Sequence, residues 1–84
     1  TLDLAEYVYY HHERWDGKGY PIGLKGKQIP LIARIIAIAE TFDRIVDSET
    51  HPSSEKIEYA LSIINNGAGM QFDPELVKIF CDLF

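Results

Sequence analysis

The stretch PLIARIIAIAETFDRIVD, Pro30 to Asp47, decides the fold class. Ile32, Ile35, Ala39, Phe42 and Val46 recur with the 3.6-residue period of one helix face, and Pro30 suits the first turn, where a missing N–H costs nothing. The spacing predicts a helix from Pro30 to about Asp47 with that stripe turned inward. Beyond it, the polar run Ser48 to Pro52 reads as a connection. A third helix follows, capped by Ser53 or Ser54, with Ile57, Ala60, Leu61 and Ile64 inward and Asn66-Gly67 as its stop. Asp73 as N-cap and Pro74 in the first turn open a fourth, carrying Leu76, Val77, Phe80 and Leu83. On the other side, residues 2 to 13 read as a helix, because Leu4, Val8 and His12 recur at i+4 with Ala5 and Tyr9 beside them. Between Trp15 and Pro30, Gly17, Gly19, Pro21, Gly23, Gly26 and Pro30 crowd together too densely for a regular element. No strand pattern competes. The expected class is all-α: about four helices, with a long Gly/Pro-rich loop between the first two.

Composition narrows the function. At 84 residues the chain is one domain at most, of a size at which the core is only just sufficient. It starts at Thr1 and runs at once into a periodic apolar segment, so a boundary upstream is expected. A formal charge of −5 argues against binding nucleic-acid polymers, which requires an excess of Lys and Arg. The longest apolar run, Ile35 to Ala39, is far too short to span a bilayer, so no membrane contact is expected of this segment. The single cysteine, Cys81, lies at helical spacing among Val77, Phe80 and Phe84 and reads as buried filler in a reducing, cytoplasmic setting.

Two groups of residues carry chemistry. His11 and His12 stand side by side at the end of the first predicted helix. Adjacent helical residues diverge by about 100°, so the pair suits two neighbouring ions better than one. Di-metal hydrolases hold their ions roughly 3.5–4 Å apart and cleave phosphodiesters in this way. The competing reading of either histidine alone is a packed or capping residue. Glu40 and Asp43, three apart, share one face of the second helix, and hard oxygen donors beside imidazole suit Fe or Mn. Against this, Glu40 can pair with Arg44 at i+4, acid before base. Asp43 is expected to orient ligands rather than to bind metal. Lys18 and Arg14 are candidate phosphate contacts, the loop glycines and prolines are scaffold, and Arg34 is expected to form a structural salt bridge to a loop acid.

The run His11-His12-Glu13-Arg14-Trp15-Asp16-Gly17-Lys18-Gly19-Tyr20-Pro21 resembles the HD-GYP family. So do Gly23-Leu24, Gly26, Ile29-Pro30, Ala33-Arg34-Ile35, Phe42-Asp43 and Gln71-Phe72-Asp73-Pro74. The resemblance covers nearly the whole chain. It implies a helical bundle of the HD superfamily and a two- or three-metal centre of iron or manganese that hydrolyses cyclic di-GMP. By position, His11, His12 and Glu40 match metal ligands, and Tyr20 matches the tyrosine that shapes the substrate site. Apart from the resemblance, Arg14 and Lys18 are expected near substrate, and Asp43, Asp16 and Glu13 around the ligands. The chain is expected to be the C-terminal part, residues 1–84, of one such domain, with the His-Asp pair upstream. The expected partners are that missing N-terminal half, a cyclic dinucleotide, and attached sensory, receiver or GGDEF-type domains.

The family's His-Asp dyad and at least one further metal histidine are expected to precede this region, and two stretches within it also depart from the family pattern. Glu40 stands where the family has aspartate, in Ile38-Ala39-Glu40-Thr41-Phe42-Asp43. After Asp43 the family's R-P-Y-R/K stretch is lost, with Glu49 and Pro52 at the two cationic positions. An acid about 4 Å from a phosphate repels it by roughly 1–4 kcal/mol. His51, in a Pro-flanked loop, does not restore a ligand. The expected function is therefore that of a cyclic di-GMP phosphodiesterase in bacterial second-messenger signalling. The alternative is a degenerate module that binds nucleotide or a partner without turnover. The segment alone is expected to be inactive and to present an open apolar face.

Overall fold

The computed structural model describes residues 4–84, and these form four α-helices. They are α1 (Leu4–Tyr10), α2 (Leu31–Ile45), α3 (Ser54–Asn66) and α4 (Pro74–Cys81), with a short 3-10 helix at Gly26–Gln28 in the loop between α1 and α2. The only strand-like pairing among the described residues is an isolated bridge between Ala68 and Phe72. The all-α expectation holds.

Helix ends follow the local chemistry. The Ser53 side chain accepts the N–H of Lys56 at the start of α3, and Gly67 closes its far end. Asp73 caps α4 by accepting the N–H groups of Glu75 and Leu76, with Pro74 at the first helical position. Three boundaries differ from expectation. Pro30 is the residue before α2 rather than part of it, and α2 stops at Ile45. Asp47 and Ser48 then adopt left-handed backbone, with φ of 56° and 54°, which turns the chain toward α3. Helix α1 ends at Tyr10 instead of residue 13; of its expected start, residues 2 and 3 lie outside the described residues.

Helices α2, α3 and α4 pack together around Ile38, Ile64, Phe72 and Val77, with Ala37, Phe42, Ala68, Leu76, Phe80 and Cys81 against this centre. Burial pushes the Cys81 thiol above its ordinary range, and the neighbouring Asp82 charge adds to this. Gly67 is required here, because a Cβ on it would lie 2.8 Å from the Phe72 ring. The inward face of α2 is rotated from the expected one. Ala33, Ile38 and Thr41 are buried, whereas Ile35 is 43% exposed and Ala39 is also exposed. The reason is that α3 and α4 both approach α2 from the Ile38 side. Ile35 is left at the rim of an open apolar groove of about 250 Å³ with Ile79 and Leu83.

Helix α1 lies against α2 and buries no residue completely. Its expected inward stripe, Leu4, Val8 and Tyr9, is exposed. These two surfaces are the open apolar face that the sequence led us to expect. No helix among the described residues is long and apolar enough to cross a membrane.

Candidate metal centre

Because α1 stops at Tyr10, His11 and His12 sit in a turn, and the divergence of adjacent helical residues does not separate them. Their ring centroids are 3.9 Å apart. His11 Nδ1 is 2.7 Å from the carbonyl oxygen of Val8. A carbonyl only accepts, so Nδ1 is the donor, and in the neutral ring Nε2 keeps its lone pair, the tautomer found in metal-binding histidines. His12 stacks on Tyr20, with centroids 4.8 Å apart and planes 23° from parallel.

The loop that carries Tyr20 is built on Glu13. This residue is 6% exposed, and its carboxylate accepts three backbone N–H groups, from Ile22 at 2.9 Å and from Gly23 and Leu24 at 2.8 Å. Gly19 lets the loop fold back on the histidine turn, since a Cβ there would stand 2.3 Å from the His12 carbonyl oxygen. Tyr20 N–H then reaches that same oxygen at 3.3 Å. The loop is tied to the turn before α4 by Trp15 N–H to Gln71 O and Asp16 N–H to Met70 O.

Arg14 and Asp16 form a two-point ion pair at 2.9 and 3.2 Å, and Asp16 also accepts the Lys18 N–H. The Arg14 guanidinium beside it holds the Asp16 carboxyl below the usual carboxylate range, and the Lys18 amide contributes. Lys18 and Tyr20 are exposed. Both of the expected substrate cations therefore lie on the loop that also positions Tyr20, with Arg14 already paired.

Glu40 is not paired with Arg44. Its Oε2 instead accepts the Tyr7 hydroxyl at 2.6 Å, which joins α1 to α2. The Tyr7 ring lies 5.3 Å from His11. Burial raises the Tyr7 phenol to about 12, helped by its hydrogen bond to Glu40 and by the charge of that carboxylate. Nothing in the sequence singles out Tyr7 except its position four residues before His11. Asp43 accepts the Ser48 hydroxyl at 2.8 Å, and Glu40, Asp43 and Arg44 line an open depression of about 280 Å³. Arg34 forms the salt bridge expected of it, with Asp73 at the α4 cap as the acid. Glu49 is ion-paired with Lys56, whose ammonium is also 3.9 Å from Asp47.

Two imidazoles and a carboxylate are the donor types that an iron or manganese ion takes, and the His11 geometry fits a ligand. Among the described residues, however, no group of three His, Cys, Asp or Glu side chains converges closely enough to hold a metal. The residues fit part of a site whose remaining ligands come from elsewhere. The comparisons agree with the His11 to Pro21 loop. Residues 1–76 match the family model described as HD domain.

The chain belongs to the HD-domain family. Within it, the histidine turn and the loop through Tyr20-Pro21 mark the HD-GYP type. This HD-domain chain is 40% identical over 94% of its length to a cyclic di-GMP phosphodiesterase of Thermotoga maritima, and covers 22% of that protein. It is 44% identical over 83% of its length to a probable cyclic di-GMP phosphodiesterase of Vibrio cholerae, covering 16% of it. The crystal structure of a cyclic GMP-AMP-specific phosphodiesterase of V. cholerae superposes on 94% of the chain with a TM-score of 0.81 at 35% identity, over 18% of that protein. The chain thus spans about a fifth of the length of the curated relatives it matches.

Proposed function

We propose that residues 1–84 are the C-terminal part of one HD-GYP domain whose whole protein is a metal-dependent phosphodiesterase acting on cyclic di-GMP in the cytoplasm. The carrying observation is the His11–His12 turn, with His11 Nδ1 committed to the Val8 carbonyl and Nε2 left to bind. His11, His12 and Glu40 would hold iron or manganese together with donors from the N-terminal half of the domain. When bound, the metal supplies Lewis acidity toward the phosphoryl oxygen and lowers the pKa of water. Hydrolysis adds water across one P–O ester bond and gives the linear dinucleotide.

This chain's own part is to hold and orient. Tyr20, stacked on His12, offers an exposed ring edge to the nucleotide, while Lys18 and Arg14 on the same loop offer cations to its phosphates. Asp16 keeps Arg14 extended in one geometry, Glu13 fixes the loop, and Asp43 shapes the α2 end of the depression. Sensory, receiver or GGDEF-type domains are the natural attached partners of such a module.

The test is turnover by the full-length protein, loaded with manganese, on cyclic di-GMP and on 3′3′-cyclic GMP-AMP in parallel. Faster appearance of the linear product from cyclic di-GMP, abolished by His11→Ala and by His12→Ala, is expected. A second reading, a module that binds without turnover, is favoured by Glu49 at a position where a cation is expected. Metal-loaded protein that binds cyclic di-GMP but leaves it intact would establish that reading instead.

A further inference from the structure

A side-chain hydrogen bond between residues 33 apart joins α1, the helix that leads into the histidine turn, to the helix that carries Glu40: Tyr7 OH to Glu40 Oε2. The same ring faces His11, which in turn lies against His12. Tyr7 therefore touches one candidate ligand with its hydroxyl and another with its ring. Its hydroxyl engages Oε2 only. Oε1 has no hydrogen-bond partner among the described residues, and Glu40 is exposed to the open depression it shares with Asp43.

A glutamate side chain has three rotatable bonds, and an exposed one samples many positions for its carboxylate. A ligand must instead be held to within about half an ångström. The contact from Tyr7 supplies that restraint from outside helix α2. It also chooses which oxygen remains available.

We propose that Tyr7 is a positioning residue for the metal site, holding Oε2 of Glu40 so that the carboxylate presents Oε1 alone from a fixed place at the hydroxyl end of the ring that packs on His11. This inference rests on Glu40 being a metal ligand, as in the function proposed above. Tyr7 itself does not touch metal or substrate.

The experiment measures Mn²⁺ affinity of the full-length protein by competition with a chromophoric chelator, for the wild type, Tyr7→Phe, Glu40→Gln and the double variant. Phenylalanine keeps the ring against His11 and removes only the hydroxyl. Tyr7→Phe should weaken Mn²⁺ binding about 10–100-fold, the usual loss when a residue that orients a ligand is removed. The double variant should bind no more weakly than Glu40→Gln alone. If Tyr7→Phe binds as tightly as wild type while Glu40→Gln is weakened, Tyr7 is only a tether between helices and the proposal fails. Losses that multiply in the double variant overturn it equally. An unchanged affinity in Glu40→Gln removes Glu40 from the metal site, and the inference falls with that assignment. A second pair covers poor folding of Tyr7→Phe. Glu40→Asp shortens the side chain away from the hydroxyl, so adding Tyr7→Phe to it should change the affinity by less than about twofold. A larger change there counts against the proposal.

Discussion

Arg34 and Asp73, 39 residues apart, form an ion pair of 2.9 Å in which the Asp73 side chain is only 3% exposed. The same carboxylate caps α4 through its other oxygen, and Arg34 Nε donates to the Ile29 carbonyl. One guanidinium thus links the end of the Gly/Pro-rich loop, α2 and the start of α4. The pair lines a small cavity together with Glu13 and Trp15.

Removing one partner strands the other. Arg34→Met should destabilise the protein by about 3–5 kcal/mol, because Asp73 is left buried and uncompensated. Asp73→Asn keeps an oxygen for the cap and should cost less than Asp73→Ala, which also loses about 1 kcal/mol of capping. The Arg34→Met/Asp73→Asn double variant should be more stable than the sum of the single losses implies. Urea denaturation of the four variants checks this, and strictly additive losses would show that the pair is not coupled.

Glu13→Gln tests what holds the loop. Glutamine offers one carbonyl oxygen where the carboxylate serves three N–H groups, and its amide hydrogens would face donors. A loss of about 2–3 kcal/mol is expected, since hydrogen bonds to charged groups are the stronger ones and an unsatisfied buried N–H adds its own cost. Hydrogen exchange should localise the effect: amides of Ile22, Gly23 and Leu24 exchange faster while those of α3 keep their protection. Uniform loss of protection would mean that Glu13 supports the whole fold.

Gly19→Ala probes the close approach behind the histidines. With His12 O 2.3 Å from the new Cβ, and the backbone of Arg14 and Glu13 2.6 and 2.7 Å away, the loop must move. Tyr20 should leave its stacked position on His12. The measurable sign is loss of the ring-current shift on the His12 protons, with the α3 and α4 resonances unchanged. Retention of that shift would show that the loop absorbs a methyl group without moving Tyr20.

Alkaline titration isolates Tyr7. Its folded-state phenol ionises at about 12, against 10.0 for an unperturbed one. Because the folded value is the higher, the folded state holds the proton more tightly. The resulting stabilisation is complete below pH 10 and is lost as the pH rises toward 12. The difference between wild type and Tyr7→Phe in the tyrosinate absorbance should therefore develop near pH 12. The stability gap between the two should close over the same window. A difference that develops fully near pH 10 would show that Tyr7 has no such environment.

The sequence by itself determined the helices, their caps and the family. Ser53, Gly67, Asp73 and Pro74 act through backbone groups within a few residues of themselves, so their roles can be read locally. The HD-GYP loop was legible for a similar reason: its glycines, prolines and histidines stand at fixed short spacings. Tertiary structure alone decided which face of α2 is buried. The stripe through Ile35 and the face through Ile38 are both apolar, and only the approach of α3 and α4 selects between them. It also decided the partner of Glu40. Arg44 at i+4 and Tyr7 on another helix both offer a donor, and helix periodicity ranks only the first. The contact from Tyr7 exists because α1 packs across α2, and the strength of a hydrogen bond between such distant residues depends on a geometry that no local pattern encodes.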